Sequence, residues 1–477
     1  MKFYRLSTQA KASIAYMISS ILTKGINFIT LPIFTRLLTT KDMGVVTTFN
    51  SWFSILYAMV TLSMTAGSFN IAMMEYKDQR DKYEAVCLTL STISSSFFAL
   101  IYILLSTGIN KMTMLSAPLM GIQILLFYVN PALDMWFARQ RYEYNYKPVV
   151  VVSLVITVVS TAVAIIVIYV SKKFCHFTNL GEIRILTQNG IIVFFGIFFY
   201  FKIYRKCHVA FDYKMAHFAL MLSIPLIIHT LAKNILDASD RIMIGKICGE
   251  EAAGKYGTVY SISLIALIVW NAINSALIPT IFEELDSGNF KLIEKISMKV
   301  ILLFSGVSMM VTVIAPEIVH LLTTRDYYEA VYIIPAITAG VFMTSIYGIY
   351  GDILLYKKKS TKIMIATMVA AATNLILNFI FVRIYGYIAA SYTTLFSFVI
   401  LAFMQGIMCK VEFKQSILRK DKLIAVSLFT IGFCLLCNIA YWNTGLRLIL
   451  GCGLVLAFIM KRNQILKILL RKDFKND

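Results

Sequence analysis

Lys24 and Lys233 each sit inside a long apolar run of the chain. A fixed cation in that setting holds an anion, finds a carboxylate, or reaches out to an interface with water. Asp237 follows Lys233 by four residues, so an ion pair along one helix face competes with ligand binding there. Asp134 follows Asn130 by the same spacing, with Pro131 between them. A carboxylate so placed could couple transport to a proton or cation, and it could equally pair with the nearby Arg139 or Arg141. Amides recur in the same manner. Asn271 and Asn274 share a face, as do Asn374 and Asn378, and Trp270 adjoins the first pair. Amides and an indole can bind and stack sugars, but they also join helices or fill a core. Cys434-x-x-Cys437 has redox spacing, yet it lies in mid-segment and reads as an inert buried pair. No metal motif, phosphate loop or nucleophile elbow is present. This set can bind; it does not make or break bonds.

The elements that position these residues are set by hydrophobicity. Apolar residues make up 59% of the 477-residue chain and charged residues 15%, with a mean hydropathy of +0.75. Soluble domains run at about 45–50% and about 25%. A helix needs about 20 residues to cross a hydrocarbon core of about 30 Å, and only helices or closed barrels satisfy their backbone in lipid. Continuous apolar runs such as Val149–Val170 lack the alternation a barrel strand requires. The sequence therefore predicts 14 spans, at 12–34, 44–68, 83–107, 113–137, 148–170, 183–203, 215–236, 254–281, 298–322, 329–355, 361–382, 386–409, 421–440 and 444–460. Pro32, Pro225, Pro279 and Pro335 interrupt or bend some of them. Lys2, Arg5 and Lys11 precede the first span, which is too long for a signal-peptide core and is read as a retained helix.

Charge fixes an orientation. With both termini cytoplasmic, 31 of the 45 Lys and Arg fall in inside segments and 12 outside, as the positive-inside rule requires. That bias accounts for most of the +20 net charge without nucleic acid, and runs such as Lys357-Lys358-Lys359 read as orientation signals and anionic-lipid contacts. An internal duplication is also visible. The block Arg36–Gly44 before span 2 resembles Lys246–Gly254 before span 8, at an offset of 210 residues, and Ser51 then aligns with Ser261. Six spans separate the copies, so they run parallel. The expected architecture is an all-α polytopic membrane protein of about 14 transmembrane helices. Two pseudo-symmetric six-helix bundles, 1–210 and 211–412, would be followed by 413–477, two appended helices and a basic cytoplasmic tail. Under the offset Lys24 aligns with Asn234, so the two lysines fall one position apart in the two copies.

Three blocks carry a family resemblance: Gly25-Ile26-Asn27-Phe28-Ile29-Thr30-Leu31-Pro32-Ile33-Phe34-Thr35-Arg36-Leu37-Leu38 with Gly44; Asp240-Arg241-Ile242-Met243-Ile244-Gly245-Lys246 with Gly254-Lys255-Tyr256; and Asn374-Leu375-Ile376-Leu377-Asn378 with Tyr385-Gly386-Tyr387-Ile388-Ala389-Ala390-Ser391. In order and spacing they resemble the polysaccharide flippases of the Wzx type, within the multidrug/oligosaccharidyl-lipid/polysaccharide exporter superfamily. The resemblance implies a flippase in the bacterial inner membrane, which is not an enzyme and has no cofactor or metal. Its implied cargo is an undecaprenyl-pyrophosphate-linked oligosaccharide for O-antigen, capsule or exopolysaccharide. Membrane lipids, a polysaccharide polymerase and a chain-length regulator are the implied partners. For such cargo Lys24 and Lys233 become pyrophosphate ligands of a cationic cavity. Asn27, Asn271, Asn274, Asn374, Asn378 and Trp270 become candidate sugar contacts, and Asp134 and Asp237 candidate coupling groups.

Two rivals share the fold: a cation-coupled multidrug exporter and a peptidoglycan-precursor flippase. The exporter would be expected to carry a carboxylate in its first helix, whereas this chain has Lys24 there and no Asp or Glu from 1 to 41. A membrane-embedded glycosyltransferase or polymerase would need catalytic groups in a sizeable external loop, and the loops are short.

Overall fold

A computed structural model describes residues 8–65, 68–207 and 211–460. Lys2, Arg5 and the basic tail 461–477 lie outside the described residues. The helices are α1 (Thr8–Leu37), α2 (Thr40–Val60), α3 (Ser68–Glu75), α4 (Arg80–Thr113), α5 (Ala117–Tyr142), α6 (Tyr146–Phe174), α7 (Leu180–Lys206), α8 (Tyr213–Cys248) and α9 (Glu250–Ser263). They continue with α10 (Ile265–Asp286), α11 (Phe290–Val313), α12 (Ala315–Leu322), a 3₁₀ segment (Arg325–Ile333), α13 (Ile334–Tyr356), α14 (Ser360–Tyr385), α15 (Ala389–Phe413), α16 (Lys420–Ala440) and α17 (Thr444–Met460).

Among the described residues, 13 helical stretches are long and apolar enough to cross a membrane. They match the first 13 expected spans one for one. The fourteenth is present as α17, which at 17 residues is shorter than the others. Span 2 ends early: α2 stops at Val60, and the short α3 follows. Span 9 divides into α11 and α12, because Pro316 sits in the first turn of a new helix where its missing N–H costs nothing. The prolines interrupt less than expected. Helices α1 and α10 continue through Pro32 and Pro279, while Pro335 opens α13.

The chain folds as two compact units, Met1–Gly254 and Lys255–Asp477. In the first, α1 packs chiefly on α6, and α2 packs on α7 and α8. In the second, α13 is the central helix, holding α15, α11, α16 and α10 around it. It is hydrophobic all round, as a helix enclosed by others must be.

Local chemistry sets the starts of the helices. Thr39 caps α2 in a reciprocal box with Asp42, whose carboxylate also accepts the Gly181 N–H at 2.8 Å. Asp212 caps α8 through the Lys214 and Met215 N–H groups. The duplicated blocks meet at the starts of α2 and α9. A Cβ on Gly44 would lie 1.8 Å from the Glu250 carbonyl oxygen, and one on Gly254 would lie 1.9 Å from that of Thr40. The offset of 210 residues carries Thr40 onto Glu250 and Gly44 onto Gly254, so the two contacts are mates. Only glycine permits backbones to approach this closely.

Candidate functional site

The polar groups of the first unit are arranged as stripes on helices. On α1, Ser20, Lys24 and Asn27 are exposed at positions i, i+4 and i+7. The neighbouring Thr23 and Thr30 hydroxyls return to carbonyls of the same helix. Lys24 forms no ion pair among the described residues. On α8, His229, Lys233, Asp237 and Arg241 recur every four residues, with Lys233 exposed and the others half-buried. Four residues exceed one turn of 3.6 only slightly, so these groups follow one face. No ion pair joins Lys233 to Asp237 among the described residues.

Helix α2 supplies the fixed frame beside that stripe. Asn234 of α8 donates to the Ser54 carbonyl at 2.6 Å, and Gln123 of α5 donates to the Phe49 carbonyl at 3.2 Å. Tyr57 of α2 donates to Asp134 of α5 at 2.5 Å. This corrects the expectation that Asp134 pairs with Arg139 or Arg141. Arg139 is fully engaged elsewhere, binding Asp81, Glu84 at 2.8 Å and Glu143 at 3.1 Å. Trp52 Nε1, His229 Nδ1 and the Asn130 carboxamide oxygen are buried without a protein partner. Buried polar atoms are normally satisfied, so this region has hydrogen-bonding capacity left for a polar ligand or water.

The remaining sequence candidates lie in the second unit. Trp270 is 2% exposed, tilted against Phe304 and against Gly348, a core position rather than a stacking platform. Asn374 and Asn378 are fully buried. They bond each other at 3.0 Å, and they reach Thr394 at 3.3 Å and Thr393 on α15. Their amides are used in fastening α14 to α15, which corrects the sugar-contact expectation for these three residues. Asn271 is exposed and Asn274 half-buried on α10. Sequence reasoning missed Ser20, Tyr57 and His229. The four-residue recurrence at 229, 233, 237 and 241 was available to find His229; nothing in the sequence linked Tyr57 to Asp134, 77 residues away.

Long apolar helices carrying polar stripes define a multi-pass membrane protein by class. Residues 10–284 match the family described as polysaccharide biosynthesis protein, more than half of the chain, and the protein belongs to that family. Residues 225–380 also match MatE. No curated protein sequence matches. The fold is similar to that of the lipid II flippase MurJ in an inward closed conformation, with a TM-score of 0.64 at 14% identity over 96% of this chain and 100% of that one. It is similar to an inward-facing MATE-family multidrug resistance transporter, with a TM-score of 0.62 at 12% identity over 84% and 98%. A third likeness, with a TM-score of 0.53 at 12% identity over 85% and 95%, is to a MOP-superfamily transporter from Pyrococcus furiosus whose binding pocket is described as having reverse polarity. At these identities the likeness gives the fold alone. The protein is a multi-pass membrane protein of the polysaccharide biosynthesis family and not an enzyme.

Proposed function

We propose that the protein is a Wzx-type flippase. It moves undecaprenyl-pyrophosphate-linked oligosaccharide units from the cytoplasmic to the outer leaflet of a bacterial inner membrane, supplying O-antigen, capsule or exopolysaccharide assembly. Both termini are cytoplasmic in this reading. The halves 1–210 and 211–412 work by alternating access through a cationic cavity, 413–477 is appended, and a polymerase and a chain-length regulator act downstream.

The observation that carries the reading is the α1 stripe of Ser20, Lys24 and Asn27. A cation at the membrane centre costs about 2.5–3.5 kcal/mol on insertion scales, so a lysine with no carboxylate partner needs a compensating function. A diphosphate supplies it. Lys233 adds a second positive charge on α8, and the unspent polar atoms of Trp52, Asn130 and His229 suit a hydrated sugar. Asp134, held by Tyr57, and Asp237 are the coupling candidates.

The rival multidrug exporter draws on the MatE match, and its cationic cargo is disfavoured by the sign of Lys24. The test is complementation of a deletion host. Lys24→Ala should abolish surface polysaccharide at equal protein level, while Lys24→Arg should retain a substantial part. Full polymer from Lys24→Ala would remove Lys24 from the site. Drug efflux without any effect on polymer would overturn the cargo.

A further inference from the structure

Helices α15 and α16 both pack on α13, yet a cavity of about 290 Å³ remains between them. Ile346 of α13 forms part of its buried floor, Phe403 and Ile407 of α15 form one wall, and Ile424 and Leu428 of α16 form the other. These four wall residues are also among the exposed large apolar side chains, so the groove opens sideways to the helix surroundings. It is apolar along its length and has Lys420 at one end.

That end is the basic rim of the second unit. Helices α13 and α15 finish there, and α14 and α16 start there. Two carboxylates of this rim are occupied: Glu412 by Lys359 and Lys362, and Asp421 by Arg419. Lys420 makes no ion pair among the described residues. Along α16 the lining runs from Lys420 to Ile431, about 16 Å at helical rise. This is roughly half of the hydrocarbon core of about 30 Å, the depth of a single leaflet.

We propose that this groove is a binding site for one anionic phospholipid, with an acyl chain between α15 and α16 and the headgroup phosphate on Lys420. Basic pockets between membrane helices are the established form of such recognition. A second groove in the same unit serves as a contrast. It is lined by Phe381, Tyr385, Tyr392 and Phe396 among others, it lies between the opposite ends of α14 and α15, and no basic residue lines it. An acyl chain fits either groove; a phosphate is matched in the first alone. The one-leaflet length also separates this site from one for a long polyprenyl tail.

The test is native mass spectrometry of the full-length protein in detergent, titrated with phosphatidylglycerol or with phosphatidylcholine of the same chains. Wild type should retain phosphatidylglycerol preferentially. A lysine at an anionic surface is worth about a fivefold change in affinity, so Lys420→Gln should lose about that much, Lys420→Glu more, and Lys420→Arg little. Ser427→Phe, which fills the groove from α16, should lower binding of both lipids. Should that variant fail to fold, the charge series still decides. Equal retention of the two lipids by wild type, or an unchanged Lys420→Glu, would overturn the site. So would displacement of phosphatidylglycerol by equimolar polyprenyl phosphate, which would mark the groove as one for the cargo tail.

Discussion

In the first unit the interior is tied by ionised groups; in the second, by hydroxyls and amides. Among the described residues, Asp42, Glu84 and Asp240 are buried charges of the first unit, and Arg447, paired with Glu317, is the one in the second. The second unit instead joins Ser305 to Thr430 at 2.6 Å, Thr312 to Thr338 at 2.7 Å, and Asn374 and Asn378 to Thr393 and Thr394. Neutral pairs cost little to bury and hold helices in place. Buried charges cost desolvation energy and bring modest net stability, so burying Glu84 against Arg139 and Asp42 in a cap asks more of the first unit than cohesion alone requires. The same unit carries Lys24 and Lys233, which form no ion pair among the described residues, and it is there that the proposed ligand site falls.

Four experiments would break or sharpen this contrast. The largest effect should come from Arg139→Leu, which leaves the Glu84 carboxylate buried and unpaired. Breaking one partner of such a pair costs about 3–5 kcal/mol, readable as a lower melting temperature in detergent and faster hydrogen exchange in α4 and α5. A wild-type melt would mean that the charged interior of the first unit is dispensable. Next, Gly254→Ala forces a Cβ to within 1.9 Å of the Thr40 carbonyl oxygen, and overpacking of this kind costs about 1–3 kcal/mol. Gly190→Ala, with nothing within 4 Å, should be neutral or mildly stabilising. Equal melts for the two variants would refute the close approach.

In the second unit, Asn378→Val should cost far less, near the average of about 0.6 kcal/mol for a hydrogen bond between membrane helices. A loss as large as that of Arg139→Leu would erase the contrast between the units. The smallest effect belongs to Asp212. Its carboxyl is held below the ordinary range by the Lys82 ammonium at 2.5 Å and by the N–H groups it caps. A depressed carboxylate stabilises above its unfolded pKa and loses that contribution as pH falls through the folded one. The protection of the amides of 214 and 215, relative to their intrinsic exchange rates, should therefore fall on acidification in wild type, and in Asp212→Ala it should be low already at neutral pH. A pH-independent wild type would remove the cap.

The spans were legible because continuous apolar length is a local property: each of the 13 stretches was found, though ends such as that of α8 at Cys248 lie as far as 12 residues from the expected one. What failed was whatever depends on packing. Span 9 read as one continuous helix, and Pro316 instead starts α12 within it. For Trp270 and Asn374 sugar contact stood beside core or helix-joining roles on paper, since sequence gives a helix face but not what covers it. Asp134 had two arginines within seven residues and chose a tyrosine on another helix. Arg139 was already claimed by the acids of α4, a competition that no spacing rule could rank. By contrast, the positions of Lys24 and Lys233, each in an apolar helix, were plain from the chain.

The reciprocal approach of Gly44 to Glu250 and Gly254 to Thr40 has the logic of a twofold dimer, in which one patch meets its own copy. A single ancestral half pairing with itself would make this contact twice, so any change at its glycine would act on both sides at once. Joining two copies in one chain would remove that coupling. Lys41 stands 4.0 Å from Glu250, whereas the mate of that pair would join Glu251 to Thr40, which carries no charge. The glycines of the contact are thus matched on both sides, while the charge at its rim is matched on one side alone.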